Sequence, residues 1–197
     1  MFKAILLGVT LLLAPQAAQQ KYLGPENLGP FSTELNVSAR QLFQRLGSPA
    51  ARGSEFEPYC YASRDGKAFL YVETEHSEPS RIVAVFLSDF PNCLHRRVKS
   101  TAENLRNWRT REGIGLGSPK KDVLRAYGKP SSEDKIDPKD EQYVGSLIRG
   151  YKRGDRIRQI GDMSVFYSAG VGSDDLRAAE FGIRNGKVSW ISLSNSE

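Results

Sequence analysis

The chain reads as an α+β protein of two tandem pseudo-repeats, each a short helix packed on an antiparallel β-sheet. Three observations predict this. The segment Leu42-Phe43-x-x-Leu46-Gly47-x-Pro49 returns as Val123-Leu124-x-x-Tyr127-Gly128-x-Pro130, at a constant offset of 81 positions. After each copy the apolar spacing changes from a helical period to short runs rich in aromatic and β-branched residues. Turn sequences such as Arg64-Asp65-Gly66-Lys67 and Asn185-Gly186 separate those runs and join antiparallel neighbours.

Both helices carry their own start and stop signals. Apolar residues at i, i+1 and i+4 line one face, glycine one step later suits a left-handed C-cap, and the proline beyond prevents continuation. Ser38-x-x-Gln41 has capping-box spacing, while Ser118-Pro119 offers a hydroxyl at the N-cap and proline at the first helical position. Strands are expected at Tyr59–Ser63, Ala68–Glu73 and Arg81–Leu87 in the first half. The second half offers Tyr143–Tyr151, Ile157–Ile160, Met163–Ser168, Leu176–Arg184 and Lys187–Leu193. Polar loops are expected at 19–30, 131–142 and 170–175. The domain boundaries follow: residues 19–94 form the first unit, 95–112 a basic connector and 113–197 the second unit.

A length of 197 residues suits one domain or two small halves, and 39% hydrophobic against 26% charged residues excludes a disordered or polytopic membrane chain. Residues 1–18 read as a secretory signal peptide: Lys3 precedes the apolar run Ala4–Ala14, and Pro15-Gln16-Ala17-Ala18 closes it. That run is too short to span a bilayer, and no cysteine follows it to take a lipid anchor. The expected product is exported, periplasmic or extracellular, soluble and not membrane-spanning. Removing the signal takes one lysine and no acid, so the formal charge falls from +5 to +4.

The segment Gly113-Ile114-Gly115-Leu116-Gly117-Ser118-Pro119 through Val123, Tyr127, Gly128 and Pro130 resembles the β-lactamase-inhibitor-protein-like superfamily, which includes small lipoproteins of outer-membrane assembly. The weaker copy at Leu35–Pro49 extends the resemblance. It implies helices lying against an antiparallel sheet, sometimes in tandem, and a protein-binding role without catalysis. The missing lipid-anchor cysteine departs from the lipoprotein branch.

Two cysteines are too few for a disulfide scaffold or a multi-cysteine zinc module. Cys60 and Cys93 lie where antiparallel packing brings them together, and in an oxidising compartment a structural disulfide is expected. Cys93-x-His95 lacks metal-ligand spacing, and Asp134, Asp137 and Asp140 match a calcium loop in composition but lack its spacing and central glycine. A serine nucleophile would depend on His76 or His95, and no Gly-x-Ser-x-Gly elbow occurs. Glu73 and Glu75 read as solvated surface. Gly113–Gly117 lacks dinucleotide spacing. No catalytic, cofactor or metal residue is therefore expected.

Most strand aromatics are expected in the core. The remainder, Tyr71 and Trp190 with Trp108, Arg109 and Arg111 at the junction of the halves, form the expected interaction surface for a protein partner. A second reading assigns the chain to anionic envelope polymer or lipid headgroups through Arg96, Arg97, Lys99, Lys152, Arg153 and Arg156. An exported chain has no nucleic-acid partner to meet. A secreted hydrolase of another design is the third reading.

Overall fold

A computed structural model describes residues 24–25, 27–32, 38–48, 58–75, 81–95, 97–152, 160–169 and 176–196. The first element corrects the polar-loop reading of 19–30. Strands β1 (Asn27–Leu28) and β2 (Phe31–Ser32) form an antiparallel ribbon whose Leu28 and Phe31 are fully buried. Gly29 turns the ribbon at φ +57°, where a Cβ would lie 2.7 Å from Trp108 Cδ2, so glycine serves both the backbone and the close approach.

Helix α1 (Ala39–Leu46) starts as the sequence indicates: Gln41 N donates to Ser38 Oγ (3.3 Å) and Ser38 N to Gln41 Oε1 (3.0 Å). Helix α2 (Lys120–Tyr127) starts one residue later than expected. Pro119 is its N-cap, and Ser118 Oγ instead accepts from Gly115 N at 3.0 Å. Gly47 and Gly128 end the helices at φ 87° and 73°, with extended ψ in place of the expected left-handed turn.

Strands β3 (Tyr59–Ser63), β4 (Phe69–Thr74) and β5 (Ile82–Ser88) occupy the expected first-half positions. The connector is more ordered than its polarity implies. It holds the short strand β6 (Lys99–Thr101) and a 3-10 turn (Leu105–Asn107), and buries Thr101, Leu105, Trp108 and Thr110. Strand β7 (Ser132–Lys135) lies in the expected loop 131–142. Tyr143–Tyr151 is not a strand: helix α3 (Glu141–Leu147) starts where Asp140 accepts from Gln142 N and Tyr143 N. Val144, Leu147 and Ile148 are buried at i, i+3 and i+4, a helical spacing that the β-branched content obscured. Strands β8 (Met163–Ala169), β9 (Leu176–Arg184) and β10 (Lys187–Ser196) complete the chain. The expected strand Ile157–Ile160 lies outside the described residues except for its last position, which is not in a strand.

One mixed, mostly antiparallel sheet spans both halves, in the order β6-β3-β4-β5-β10-β9-β8-β7, with only the β3/β6 pair parallel. The halves join where β5 pairs with β10, Phe86 opposite Ser192. Helices α1 and α2 share one face of this sheet, where Leu42, Leu46, Val123 and Tyr127 pack in one continuous core with Leu70, Leu87, Phe181 and Ile191. Tyr61 Oη donates to Gly47 O (3.3 Å), and Tyr167 Oη donates to Gly128 O (3.2 Å), so the α1 end is tied to β3 and the α2 end to β8. Burial pushes the Tyr167 hydroxyl up to about 12 and raises Tyr61 as well, keeping both in the donor form.

The opposite face has its own core. Tyr71, Phe86 and Trp190 stack across β4, β5 and β10 with successive ring centroids 5.1 Å apart, beneath Val144, Leu147, Ile148 and Ile160. Cys60 and Cys93 are disulfide-bonded, with Cα atoms 6.2 Å apart, and fasten the segment after β5 to β3. Arg149 N donates to Asn92 O (3.0 Å) and Leu94 N to Arg149 O (2.7 Å), so the same segment holds the chain leaving α3.

Candidate functional site

The second face explains why the expected aromatic surface is not on offer. Strand side chains alternate between faces, and a reading with one helical layer leaves the other face exposed. Here α3 and the disulfide segment cover it. Tyr71 is 4% exposed and Trp190 0%, while Trp108, 5% exposed, is buried in the other core beside Phe31, so none of the three rings is presented to a partner. Arg109 and Arg111 do stand at the surface. The Arg109 guanidinium donates to Arg106 O (2.7 Å) and Trp108 O (2.9 Å), and Arg111 N donates to Asn27 Oδ1 (2.7 Å), which anchors the β1–β2 ribbon.

The basic groups divide. Arg97, Lys99 and Lys152 are exposed, whereas Arg96, Arg153 and Arg156 lie outside the described residues. Arg149 turns inward: it pairs with Glu73 and its guanidinium carbon lies 5.3 Å from the Tyr71 ring centroid. Glu73 is consequently half-buried and not the solvated group expected. Desolvation raises its carboxyl, with the Arg149 charge opposing. Glu75 pairs with Arg81 at 3.2 Å. His95 is exposed, and His76 lies outside the described residues.

A cleft of about 350 Å³ opens between β7–β9 and the start of α3, where among the described residues no helix lies over the second face. Phe166 on β8 and Glu180 on β9 are register partners, and both are half-buried in its floor. Tyr143, on the first turn of α3, donates from Oη to Glu180 Oε1 at 3.0 Å and forms one wall. Asp134, Asp137 and Asp140 edge the opening. Their positions are fixed locally: Asp134 Oδ2 accepts from Ser132 Oγ (2.8 Å), Asp137 Oδ1 from Lys139 N (2.9 Å), and Asp140 caps α3. Among the described residues no group of three or more His, Cys, Asp or Glu side chains is set to hold a metal.

Burial raises the Glu180 carboxyl above its ordinary range, with hydrogen bonds from Ser164 and Tyr143 opposing. The Tyr143 hydroxyl is raised by burial and by the Glu180 charge, and so remains a donor. Because the folded-state pKa of Glu180 exceeds the unfolded one, its protonated form contributes stability that is complete at low pH and lost as pH rises through the raised carboxylate range. Glu180→Gln keeps an acceptor for Tyr143 and removes the charge. Urea unfolding is expected to show the stability gap between variant and parent moving in the variant's favour from about pH 4 to about pH 7. A gap independent of pH would show that Glu180 does not feel its burial.

A half-buried ring beside oriented acceptors can pack an apolar group and accept donors from a ligand, which is binding chemistry. The sequence points to neither Phe166 nor Glu180. Reading the cleft requires knowing that residues 141–147 are helical and stand over β9. Compared with family models, with curated proteins and with solved structures, the chain matches none.

Proposed function

We propose that this chain is an exported, non-enzymatic binding module of two related halves, which engages another protein through the uncovered part of its second sheet face. One observation carries the reading. A single cross-strand row runs Cys60, Tyr71, Phe86, Ser192, Glu180, Phe166. Its first three members lie in the core beneath α3 and the disulfide segment, while the last three are half-buried, with Glu180 and Phe166 in the cleft. Non-polar contact beside oriented polar groups is the composition of a protein-binding patch.

The relation between the halves is supported by the register. Tyr61 pairs with Leu70 and Leu70 with Leu87; in parallel fashion Tyr167 pairs with Ala179 and Ala179 with Leu193. Leu87 and Leu193 then flank the Phe86–Ser192 pair symmetrically, each one residue beyond it. The sheet is thus consistent with a twofold relation through that pair, and the matching tyrosine-to-glycine bonds add to it. Export is supported by the disulfide pair. Among the described residues no helix is long and apolar enough to cross a membrane.

The test is capture from an envelope extract at high salt by the parent chain and by Phe166→Asp. Loss of one specific protein by at least about thirtyfold in the variant, with the folded spectrum retained, is expected for a contact at the centre of an interface. Equal capture of the same proteins by both chains would overturn the assignment of this face.

A further inference from the structure

The basic segment after β5 is not used by that reading, and the structure gives it a context the sequence lacked. Residues 90–102 contain His95, Arg96, Arg97 and Lys99 and no acid. The nearest acids on either side are already engaged: Asp89 pairs with Arg184 at 2.6 Å and Glu103 with Arg45 at 2.8 Å. Neither flanking acid is therefore left to pair with Arg97 or Lys99. Arg97, Val98 and Lys99 are all exposed, and Val98 at 40% is the one exposed large hydrophobic side chain among the described residues.

The fold also brings the chain leaving α3 alongside. Cys93 and Arg149 form a parallel bridge, so the chain runs through both in the same direction, and exposed Lys152 follows three positions after Arg149. The disulfide to β3 fixes the base of this pair of segments. Cations flanking a lone exposed apolar side chain, on a base that cannot drift, fit an interface that is anionic at its surface and apolar just beneath. A bilayer of anionic phospholipid has that profile, whereas a dissolved polyanion offers nothing to the valine.

We infer that the segment Arg97–Lys99 is a contact site for anionic phospholipid membrane, Arg97 and Lys99 meeting headgroup phosphates and Val98 entering the headgroup layer. The site is separate from the cleft at Phe166 and does not depend on the protein-binding reading. Attraction of this kind is screened by salt and grows with each cation near the surface.

The experiment is sedimentation of the exported chain with vesicles of phosphatidylcholine alone or mixed with phosphatidylglycerol, with retention on soluble polyphosphate measured beside it. The expected result is binding to the mixed vesicles only. The R97E/K99E double variant, with an unchanged folded spectrum, should weaken it by about thirtyfold or more. Val98→Ser should weaken vesicle binding and leave polyphosphate retention unchanged. No binding to the mixed vesicles, or full binding by R97E/K99E, would overturn the inference. So would a Val98→Ser chain that binds vesicles as the parent does, because the ligand would then be any polyanion. Phe166→Asp is expected to bind vesicles normally, which keeps failure of the cleft reading distinct from failure of this one.

Discussion

Replacing Gly182 by alanine is expected to destabilise the fold by about 3 kcal/mol or more, the upper range for a single overpacked site. Gly182 lies opposite Trp190 in the β9/β10 pair, and a Cβ built there would fall inside the indole itself, against Nε1 and Cε2. Trp190 is fully buried and donates from Nε1 to Ile160 O at 2.7 Å. It also stacks on Phe86, so it has no empty side to move toward. Relief requires either displacing the ring and orphaning a buried donor or shifting two central strands. Chemical unfolding measures the loss. The cost should shrink in a Trp190→Leu background, since the shorter side chain leaves room. A cost below about 1 kcal/mol would mean that the indole is not held against the strand as described.

The second large effect is removal of the Cys60–Cys93 bond. The cysteines are 33 positions apart, and cross-linking a loop of that length restricts the unfolded chain by about 3–4 kcal/mol in the chain-entropy model. Cys60→Ser, Cys93→Ser and the double variant are expected to lose similar stability, and reductant should bring the parent to the same level. The structural consequence is local as well. The freed segment carries Asn92, whose amide donates to Phe69 O (3.3 Å) and Phe86 O (3.0 Å), and it holds Arg149. Amide exchange is therefore expected to rise in 141–149 before it rises in α1. Uniform exchange across the chain would place the bond outside the α3 layer.

Elements governed by near neighbours were legible in the sequence. The Ser38/Gln41 box, the two hairpin turns and the disulfide partners all follow from short-range chemistry or from elimination among two cysteines. What was missed depends on distant contacts. Leu28 and Phe31 read as parts of a loop because the partner that buries them, Trp108, is remote in sequence. Residues 143–151 carry tyrosine, valine and isoleucine in numbers that favour a strand, but the Asp140 cap and the burial spacing of Val144, Leu147 and Ile148 decide for a helix. That single misassignment hid the second layer, and with it the burial of Tyr71 and Trp190 and the cleft at Phe166. The merging of two expected sheets into one was equally out of reach, because local pattern does not say which strand edges meet.

That merger also governs when the molecule can fold. Strand β10 follows every other strand of the sheet in the chain yet stands in its middle, with β5 on one side and β9 on the other. Until residues 187–196 are available, β5 has an open edge and the core shared by α1 and α2 lacks Ile191 and Leu193. Contacts so far apart along the chain form slowly, since a long loop must close before any of them is gained. The first half thus completes its core only after residues 187–196 have been made, so compactness is gained late and by both halves together.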